Sequence, residues 1–251
     1  GQAAFVGVGA YTAAFMTVKL ASSPWLALLV GVGLAVIAAL ILGAITLRMS
    51  GHFLPLATIA WGLALYYTMG NMEFLGKYDG LLGVPTLQLF GMDLGTGRGV
   101  HVLIWLIALL AALGCSNLLD SRPGRAIRAV KDGSTMAEAM GISTFRYKLV
   151  VFVLAAVLAA VSGWLFAFFQ RTVNPTPFSL GKGIEYLFMA VLGGVSHVWG
   201  AFLGAAVVKL TEDQLQVQGP AEPDRVVDTG GDRAGVCRPP GRRQPLHRRP
   251  D

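Results

Sequence analysis

Residues 120 to 148 have the sequence DSRPGRAIRAVKDGSTMAEAMGISTFRYK, the only long polar interval with strongly apolar segments on both sides. Six basic residues in this interval outnumber three acidic ones. The basic residues are Arg122, Arg125, Arg128, Lys131, Arg146 and Lys148, and the acidic ones are Asp120, Asp132 and Glu138. Because cytoplasmic loops of membrane proteins are enriched in Lys and Arg, the sequence predicts that this loop is cytoplasmic. That assignment orients the rest of the chain.

The composition predicts a protein that crosses a membrane several times. Of the 251 residues, 54% are hydrophobic and only 14% are charged, which is too apolar for an ordinary soluble protein. Six stretches meet or approach the length of about 20 apolar residues that a bilayer core requires. They are Gly1 to Val18, Pro24 to Leu47, Phe53 to Gly70, Val100 to Leu119, Leu149 to Phe169 and Tyr186 to Val208. We therefore predict an all-α, polytopic transmembrane fold with about six spans in a domain covering residues 1–208, with further sequence upstream of Gly1.

Several function classes are excluded by what the sequence lacks. The net charge of +6 comes from the cytoplasmic loop and the C-terminal tail, with no nucleic-acid-binding motif beside it, so no nucleic-acid partner is expected. No P-loop, HExxH or CxxC motif is present, and no convergent catalytic set. We expect no enzymatic activity and no catalytic, cofactor-binding or metal-binding residue.

The predicted spans contain no Asp, Glu, Lys or Arg. Ion-coupled transporters commonly keep an ionisable residue within the membrane, because the coupling ion needs a partner there. If this protein moves a solute, we therefore expect the energy to come from another subunit.

The cytoplasmic loop is expected to contain two short helices. Ser121 can cap the first helix, with Pro123 in its first turn and Gly133 past its end. The run from Thr135 to Glu138 has the spacing of a capping box, and Gly141 lies where a second helix, from Met136 to Met140, should stop. From spacing alone, a solvated basic connector that touches anionic lipid head groups remains an equal alternative.

Small residues recur where the spans must pack closely. Gly200 and Gly204 have the GxxxG spacing, which allows two helix backbones to approach each other. We expect these glycines to form a helix–helix contact.

Four blocks of sequence resemble the LivM-type membrane permease family of branched-chain amino-acid ABC importers, and they occur in the family's order. The first two are GQAAFVGVGAY at residues 1–11 and DGLLGVPTLQLFG at residues 79–91. The third is SRPGRAIRAVKD followed by AEAMGISTFRYKLVVF, and the fourth is NPTPFSLGKGIEYLFMAVLGGVSHVWGAFLGA. The resemblance covers Gly1 to about Gln214.

The resemblance implies that residues 120–148 form an ATPase-coupling loop. In ABC importers a short cytoplasmic helix of each permease, with a Glu-Ala-Ala-like sequence ending in Gly, docks into a groove on the ATPase. Glu138, Ala139 and Gly141 match that pattern, although Met140 replaces the second alanine.

Two arginines precede this helix. Arg125 and Arg128 lie three residues apart, on one face of the first predicted helix. They could pair with acidic groups of the ATPase or with lipid phosphate.

The resemblance also implies the function and the partners. The chain would be a permease subunit of an ATP-driven importer for leucine, isoleucine or valine in the bacterial inner membrane. Its partners would be two ABC ATPase subunits, a second, LivH-type permease and a periplasmic or lipid-anchored solute-binding protein. Two alternatives remain: a permease for urea or short amides, and a non-transporting membrane scaffold whose basic loop binds lipid.

Four residues of the third predicted span are candidates for the solute path, since a path without fixed charges must receive an amino acid through dipoles and hydroxyls. They are Thr58, Trp61, Tyr66 and Tyr67. Packing or lipid-interface aromatics are the alternative interpretation of this group.

Residues 209–251 are predicted to form a disordered basic tail. From about Gln218 onward, Leu246 is the only Leu, Ile, Phe, Met, Trp or Tyr, so this segment can neither bury a core nor span a membrane. Out-of-frame translation of a GC-rich gene, after a frameshift near Val217, would give such a composition. A genuine basic tail on the lipid surface is the alternative.

Overall fold

A computed structural model of the chain describes residues 1–48, 53–89, 92–93, 97–194 and 198–218. These residues contain nine α-helices: α1 (Gln2–Val18), α2 (Pro24–Thr46), α3 (Phe53–Asn71), α4 (Gly97–Asp120), α5 (Arg122–Asp132), α6 (Ser134–Ala139), α7 (Thr144–Gln170), α8 (Leu180–Gly193) and α9 (Val198–Gln218). Four two-residue strands lie in the loops: β1 (Leu81–Leu82), β2 (Gln88–Leu89), β3 (Met92–Asp93) and β4 (Thr172–Val173). The predicted all-α, polytopic fold is confirmed.

Three helices among the described residues are long and apolar enough to cross a membrane: Pro24–Thr46, Gly99–Asp120 and Thr144–Gln170. They coincide with the second, fourth and fifth predicted spans. The helix α2 begins at Pro24 because the Ser23 hydroxyl accepts a hydrogen bond from the Leu26 amide and caps its first turn. The first and third predicted spans are also helical, as α1 and α3, but they are only 17 and 19 residues long. A total of about six spans stays a prediction.

The helix α1 lies at the centre of the bundle, packed between α2 and α7. A Cβ atom on Gly9 would lie 2.7 Å from the Cα of Ala160, and one on Gly163 would lie 2.9 Å from the Ala10 nitrogen. The backbones of α1 and α7 are therefore in direct contact, which only glycine at these positions allows. On the other side, the Trp164 indole N–H donates to the Pro24 carbonyl at 2.9 Å and joins α7 to the start of α2.

A cap closes the bundle at the end of α7 opposite residues 120–143; it consists of residues 81–87 and 172–178. We call it the outer cap, because the loop at the other end is predicted from its sequence to be cytoplasmic. The strands β1 and β4 pair within it, with Leu81 opposite Val173. Its buried side chains are Leu81, Val84, Leu87, Val173 and Phe178, which form one core cluster with Tyr11 and Ala14 of α1. The cap therefore covers the second half of α1.

The last predicted span, Tyr186 to Val208, is divided into two helices. The helix α8 ends at Gly193, Gly194 adopts a φ of +87°, and the axis of α9 is turned by 120° from that of α8. The predicted contact of Gly200 and Gly204 does occur, because a Cβ on Gly200 would lie 2.9 Å from the Gly193 carbonyl carbon and one on Gly204 would lie 2.7 Å from the Gly193 nitrogen. This contact joins the two arms of a hairpin.

An ion-pair cluster joins the two arms of this hairpin away from the turn. The Glu185 carboxylate on α8 lies 2.5 Å from the Lys182 ammonium and 2.7 Å from the Lys209 ammonium on α9. Helical structure also continues to Gln218, past residue 208 where the sequence predicts the membrane domain to end. The Thr211 hydroxyl bonds back to the Val207 carbonyl at 2.8 Å. The remainder of the predicted tail, residues 219–251, lies outside the described residues.

Candidate functional site

The first loop helix, α5, is fixed to the end of α4. Ser121 is its N-cap and accepts a hydrogen bond from the Gly124 amide at 3.4 Å, as the sequence predicts. The Arg128 guanidinium donates to the Leu119 carbonyl at 2.7 Å and to the Asp120 carboxylate at 2.8 Å. Arg128 thus donates hydrogen bonds to groups at the C-terminal end of α4, so its guanidinium is already paired within the chain. The Arg125 amide donates to the Ser121 carbonyl at 3.1 Å, but its exposed side chain makes no hydrogen bond or ion pair to any residue that the structure describes.

The second loop helix, α6, ends as its sequence predicts. Gly141 adopts a φ of +80°, which favours glycine, and its amide donates to the Glu138 carbonyl at 2.9 Å. The Ile142 amide donates to the Ala137 carbonyl at 3.0 Å. These two bonds form a Schellman motif, which satisfies the last carbonyls of the helix.

The predicted capping box at Thr135 is wrong. The helix begins at Ser134, two residues before the predicted start at Met136, and its N-cap is Gly133, which makes no side-chain capping bond. Glu138 instead accepts a hydrogen bond from the buried Thr144 hydroxyl at 2.5 Å. This bond uses the carboxylate that a capping box would need. It also ties α6 to Thr144, the first residue of α7.

The helix α6 presents an apolar face to the exterior. Met136 and Met140 are 77% and 82% exposed, and their four-residue spacing places them on one side of the helix, while Ala137 is buried beneath. Glu138 and Ala139, two of the predicted coupling residues, are exposed as well. Exposed methionines are typical of surfaces that adapt to a protein partner.

A cavity of about 220 Å³ lies between α1, α2, α3 and α7. Two of the four predicted path residues, Thr58 and Trp61, line it. Its other walls include Phe5, Leu42, Thr46 and Phe152. The cavity is therefore mainly apolar, with two threonines.

The structure separates the other two predicted path residues from this cavity. Tyr66 and Tyr67 are not among its lining residues, and their rings lie 5.4 Å apart. The Tyr67 side chain is 54% exposed, whereas Tyr66 is half-buried. Within the described ranges, no group of three or more His, Cys, Asp or Glu residues could hold a metal ion.

Residues 1–228 match the family described as "Branched-chain amino acid transport system / permease component". The chain belongs to this permease family. The match includes the cytoplasmic loop, the cavity and the hairpin, and it reaches into the predicted tail.

Curated relatives of the permease are transport proteins. The chain is 25% identical over 240 residues to the high-affinity branched-chain amino acid transport system permease protein LivM of Escherichia coli, covering 86% of the chain and 56% of that relative. It is 30% identical over 164 residues to the LivH protein of the same system, covering 60% and 53%. A probable LivH protein of Methanocaldococcus jannaschii is 28% identical over 228 residues, covering 85% and 70%.

The permease spans about half the length of the Escherichia coli relatives that it matches, 56% of LivM and 53% of LivH. No solved structure matches it. The matched relatives are permeases of transport systems, which agrees with a multi-pass membrane protein.

Two features of the permease's loop were not predicted from the sequence. Met136 and Met140 are four residues apart, so they lie on the same side of a helix. This spacing could have indicated an exposed pair, since a helix this short cannot bury both of its faces. The partnership of Glu138 with Thr144 has no sequence signal, because it depends on how α6 folds back toward α7.

Proposed function

We propose that the permease is the transmembrane subunit of an ATP-driven ABC importer for leucine, isoleucine and valine in the bacterial plasma membrane. It would form part of the translocation path and receive the movement of the ATPase subunits through α6. The observation that carries this proposal is the exposed Met136 and Met140 pair on a helix that is fixed within the loop. The family match and the names of the relatives support the transport class.

The bonding of the loop suits α6 to a coupling role. A helix can transmit movement only if it is held at both ends, because rigid-body switching needs rigid elements. The Schellman motif at Gly141 and the bond from Thr144 to Glu138 fix its C-terminal half. Arg128 fixes the preceding helix to α4.

The exposed pair of methionines calls for a partner. Two methionine side chains, each more than three-quarters exposed, lie in a polar and basic loop rather than in lipid. Burying each of them in a groove of a partner would contribute about 1.5–3 kcal/mol. An ATPase groove that receives α6 would supply that burial, and Arg125 and Glu138 at its edge would meet polar groups.

The cavity supports an aliphatic amino acid as the solute. Phe5, Leu42 and Phe152 offer apolar surface for a branched side chain. The Thr46 hydroxyl donates to the Leu42 carbonyl at 2.6 Å, which leaves its oxygen able to accept a hydrogen bond from the solute. The remaining subunits follow from this role: two ABC ATPases, a LivH-type second permease and a periplasmic or lipid-anchored solute-binding protein.

The coupling role is tested on the transporter assembled with its partner subunits in proteoliposomes. We expect the double variant Met136→Ser with Met140→Ser to lower ATP-dependent leucine uptake about tenfold or more, because the apolar contact is lost. The matched control is Met136→Leu with Met140→Leu, which keeps the apolar volume and should retain most of the uptake. Equal uptake by the serine and leucine variants would contradict the coupling role.

The role of Glu138 is tested in the same assay. Glu138→Lys removes the acceptor for Thr144 and reverses the charge on the exposed face, so we expect ATP-dependent uptake to be lost while membrane insertion stays normal. Glu138→Gln keeps an acceptor oxygen and should retain part of the uptake. A solute panel that includes urea and acetamide identifies the transported class; uptake of urea without uptake of leucine would favour the short-amide permease.

A further inference from the structure

Tyr11 carries a buried hydroxyl group that has no hydrogen-bond partner in the part of the chain that the structure describes. The side chain is 3% exposed and lies at the middle of α1, where its ring packs edge-on against Phe178 of the outer cap at 6.2 Å. Among the residues that the structure describes, its oxygen is the one buried side-chain polar atom without a partner. Other hydroxyls of the same helix are satisfied: Thr12 bonds to the Val8 carbonyl at 2.7 Å and Thr17 to the Ala13 carbonyl at 2.8 Å.

An unpaired buried hydroxyl destabilises a protein, because it loses its hydrogen bonds to water and gains none. Phenylalanine would fill the same space at this position without that cost. The tyrosine at this position therefore requires another explanation. A hydrogen-bond partner that is present for only part of the transport cycle supplies one.

Tyr11 lies on the same face of α1 as the cavity. Ala4 lines the cavity, and Gly7 and Tyr11 follow it at spacings of three and seven residues, which is one stripe of a helix. A Cβ on Gly7 would lie 3.0 Å from the Met69 sulfur and 3.1 Å from the Phe178 ring, so this stripe faces α3 and the outer cap. Tyr11 therefore lies on the stripe of α1 that runs from the cavity to the outer cap.

We propose that the Tyr11 hydroxyl is a solute contact in the translocation path and that it donates a hydrogen bond to the carboxylate of the amino acid. The inference rests on the proposed function. A phenol has one O–H donor, and hydrogen bonds from such donors to carboxylates are among the stronger ones. The contact forms when the Phe178 segment or α3 withdraws and the solute passes from the cap to the cavity.

The level of Tyr11 in the bundle suits this role. Its neighbour Ala10 lies against Gly163, about 10 Å from the end of α7 that carries the outer cap. A path without fixed charges must offer hydroxyls and backbone dipoles to a zwitterion, and Tyr11 offers a hydroxyl where a solute would pass the cap.

The test uses Tyr11→Phe in the transporter assembled with its partner subunits, supplied with saturating leucine-loaded binding protein. We expect leucine uptake to fall about tenfold while ATP hydrolysis stays within about twofold, so that fewer solutes move per ATP. We also expect the Tm to rise by about 3 °C, since the unpaired hydroxyl is removed. The matched control is Tyr78→Phe, which deletes the hydroxyl of a tyrosine that is 50% exposed and lies outside the loop and the candidate path, and it should leave all three quantities unchanged.

Four results would overturn the inference. Unchanged uptake with a raised Tm would indicate that the hydroxyl only destabilises the fold. A lowered Tm would indicate that the hydroxyl has a hydrogen-bond partner in the folded protein. Equal losses of uptake and ATP hydrolysis would place its effect in conformational coupling. A wild-type complex that takes up no branched-chain amino acid would overturn the proposed function and this inference with it, whereas an unaffected variant beside an active wild type overturns this inference alone.

Discussion

The backbone contact between α1 and α7 predicts a large difference between two glycine-to-alanine substitutions. In Gly163→Ala the new methyl group would overlap the Val6 carbonyl oxygen and lie 2.9 Å from both the Val6 carbonyl carbon and the Ala10 nitrogen, where ordinary contact begins at 3.4 Å. Backbone atoms cannot rotate away as a side chain can. The two helices must therefore separate by at least roughly 0.5 Å, and by more at the oxygen.

The cost of this separation can be estimated. A gap of 0.5–1 Å forfeits about a quarter to a half of each dispersion contact, and overpacking a tight interface costs about 1–3 kcal/mol. Replacing glycine by alanine inside a helix returns about 0.5–1 kcal/mol of backbone entropy. We expect Gly163→Ala to destabilise the protein by about 1–2 kcal/mol, which corresponds to a fall in Tm of about 2–8 °C for a chain of this size.

Gly33 provides the matched control, because a Cβ there would have no atom within 4 Å. Gly33→Ala should leave the Tm unchanged or raise it slightly. The measurement is thermal unfolding in detergent followed by tryptophan fluorescence, to which Trp164, 1% exposed and adjacent to Gly163, should respond strongly. If Gly163→Ala were as stable as Gly33→Ala, the close backbone packing of α1 on α7 would be refuted.

Two further predictions concern the loop and the hairpin. Gly141 has a φ of +80° and open space around it, so Gly141→Ala should strain the Schellman motif by about 1 kcal/mol without a steric clash. We expect this variant to lower ATP-dependent uptake with little change in expression, and the control Gly133→Ala to leave uptake unchanged. Equal uptake by both variants would contradict the role of this turn. Lys209 pairs with Glu185 near the start of α8, so both ends of the hairpin should lie on one side of the membrane. Single cysteines can test this in a background with Cys115 and Cys237 replaced by serine. Thr176→Cys and Lys209→Cys should react with an impermeant maleimide from the same side of the membrane, and Thr135→Cys should react from the other side. Labelling of Lys209→Cys from the side of Thr135→Cys would instead mean that α8 and α9 together cross the bilayer.

The sequence predicted those features that depend on neighbouring residues. Pro24 marks the start of α2, and Ser121 and Gly133 bound α5, because caps and helix stops are local chemistry. The GxxxG pair at Gly200 was correctly expected to pack against a helix backbone.

The features that depend on distant residues could not be predicted. Apolar composition continues across Gly193 and Gly194, so hydropathy gives one span where the chain turns through 120°. Glu138 has capping-box spacing, but Thr144 takes its carboxylate. For the candidate path, the residue types on α3 identified Thr58 and Trp61, whereas the unpaired hydroxyl of Tyr11 is recognisable only when its surroundings are known.

If α6 receives movement from an ATPase as proposed, α7 would transmit it as a lever that turns at its backbone contact with α1. Its first residue is bonded to α6, and its backbone touches α1 at Gly163, which lies about 28 Å from Thr144 and about 10 Å from Gln170 at 1.5 Å per residue. A push of 3 Å on α6 would therefore swing the opposite end of α7, and the cap strand β4 attached to it, by about 1 Å in the reverse direction. A tilt of α7 in one direction would loosen the cap above Tyr11, and a tilt in the opposite direction would close the cap. The two ends of the path would then not need to open together.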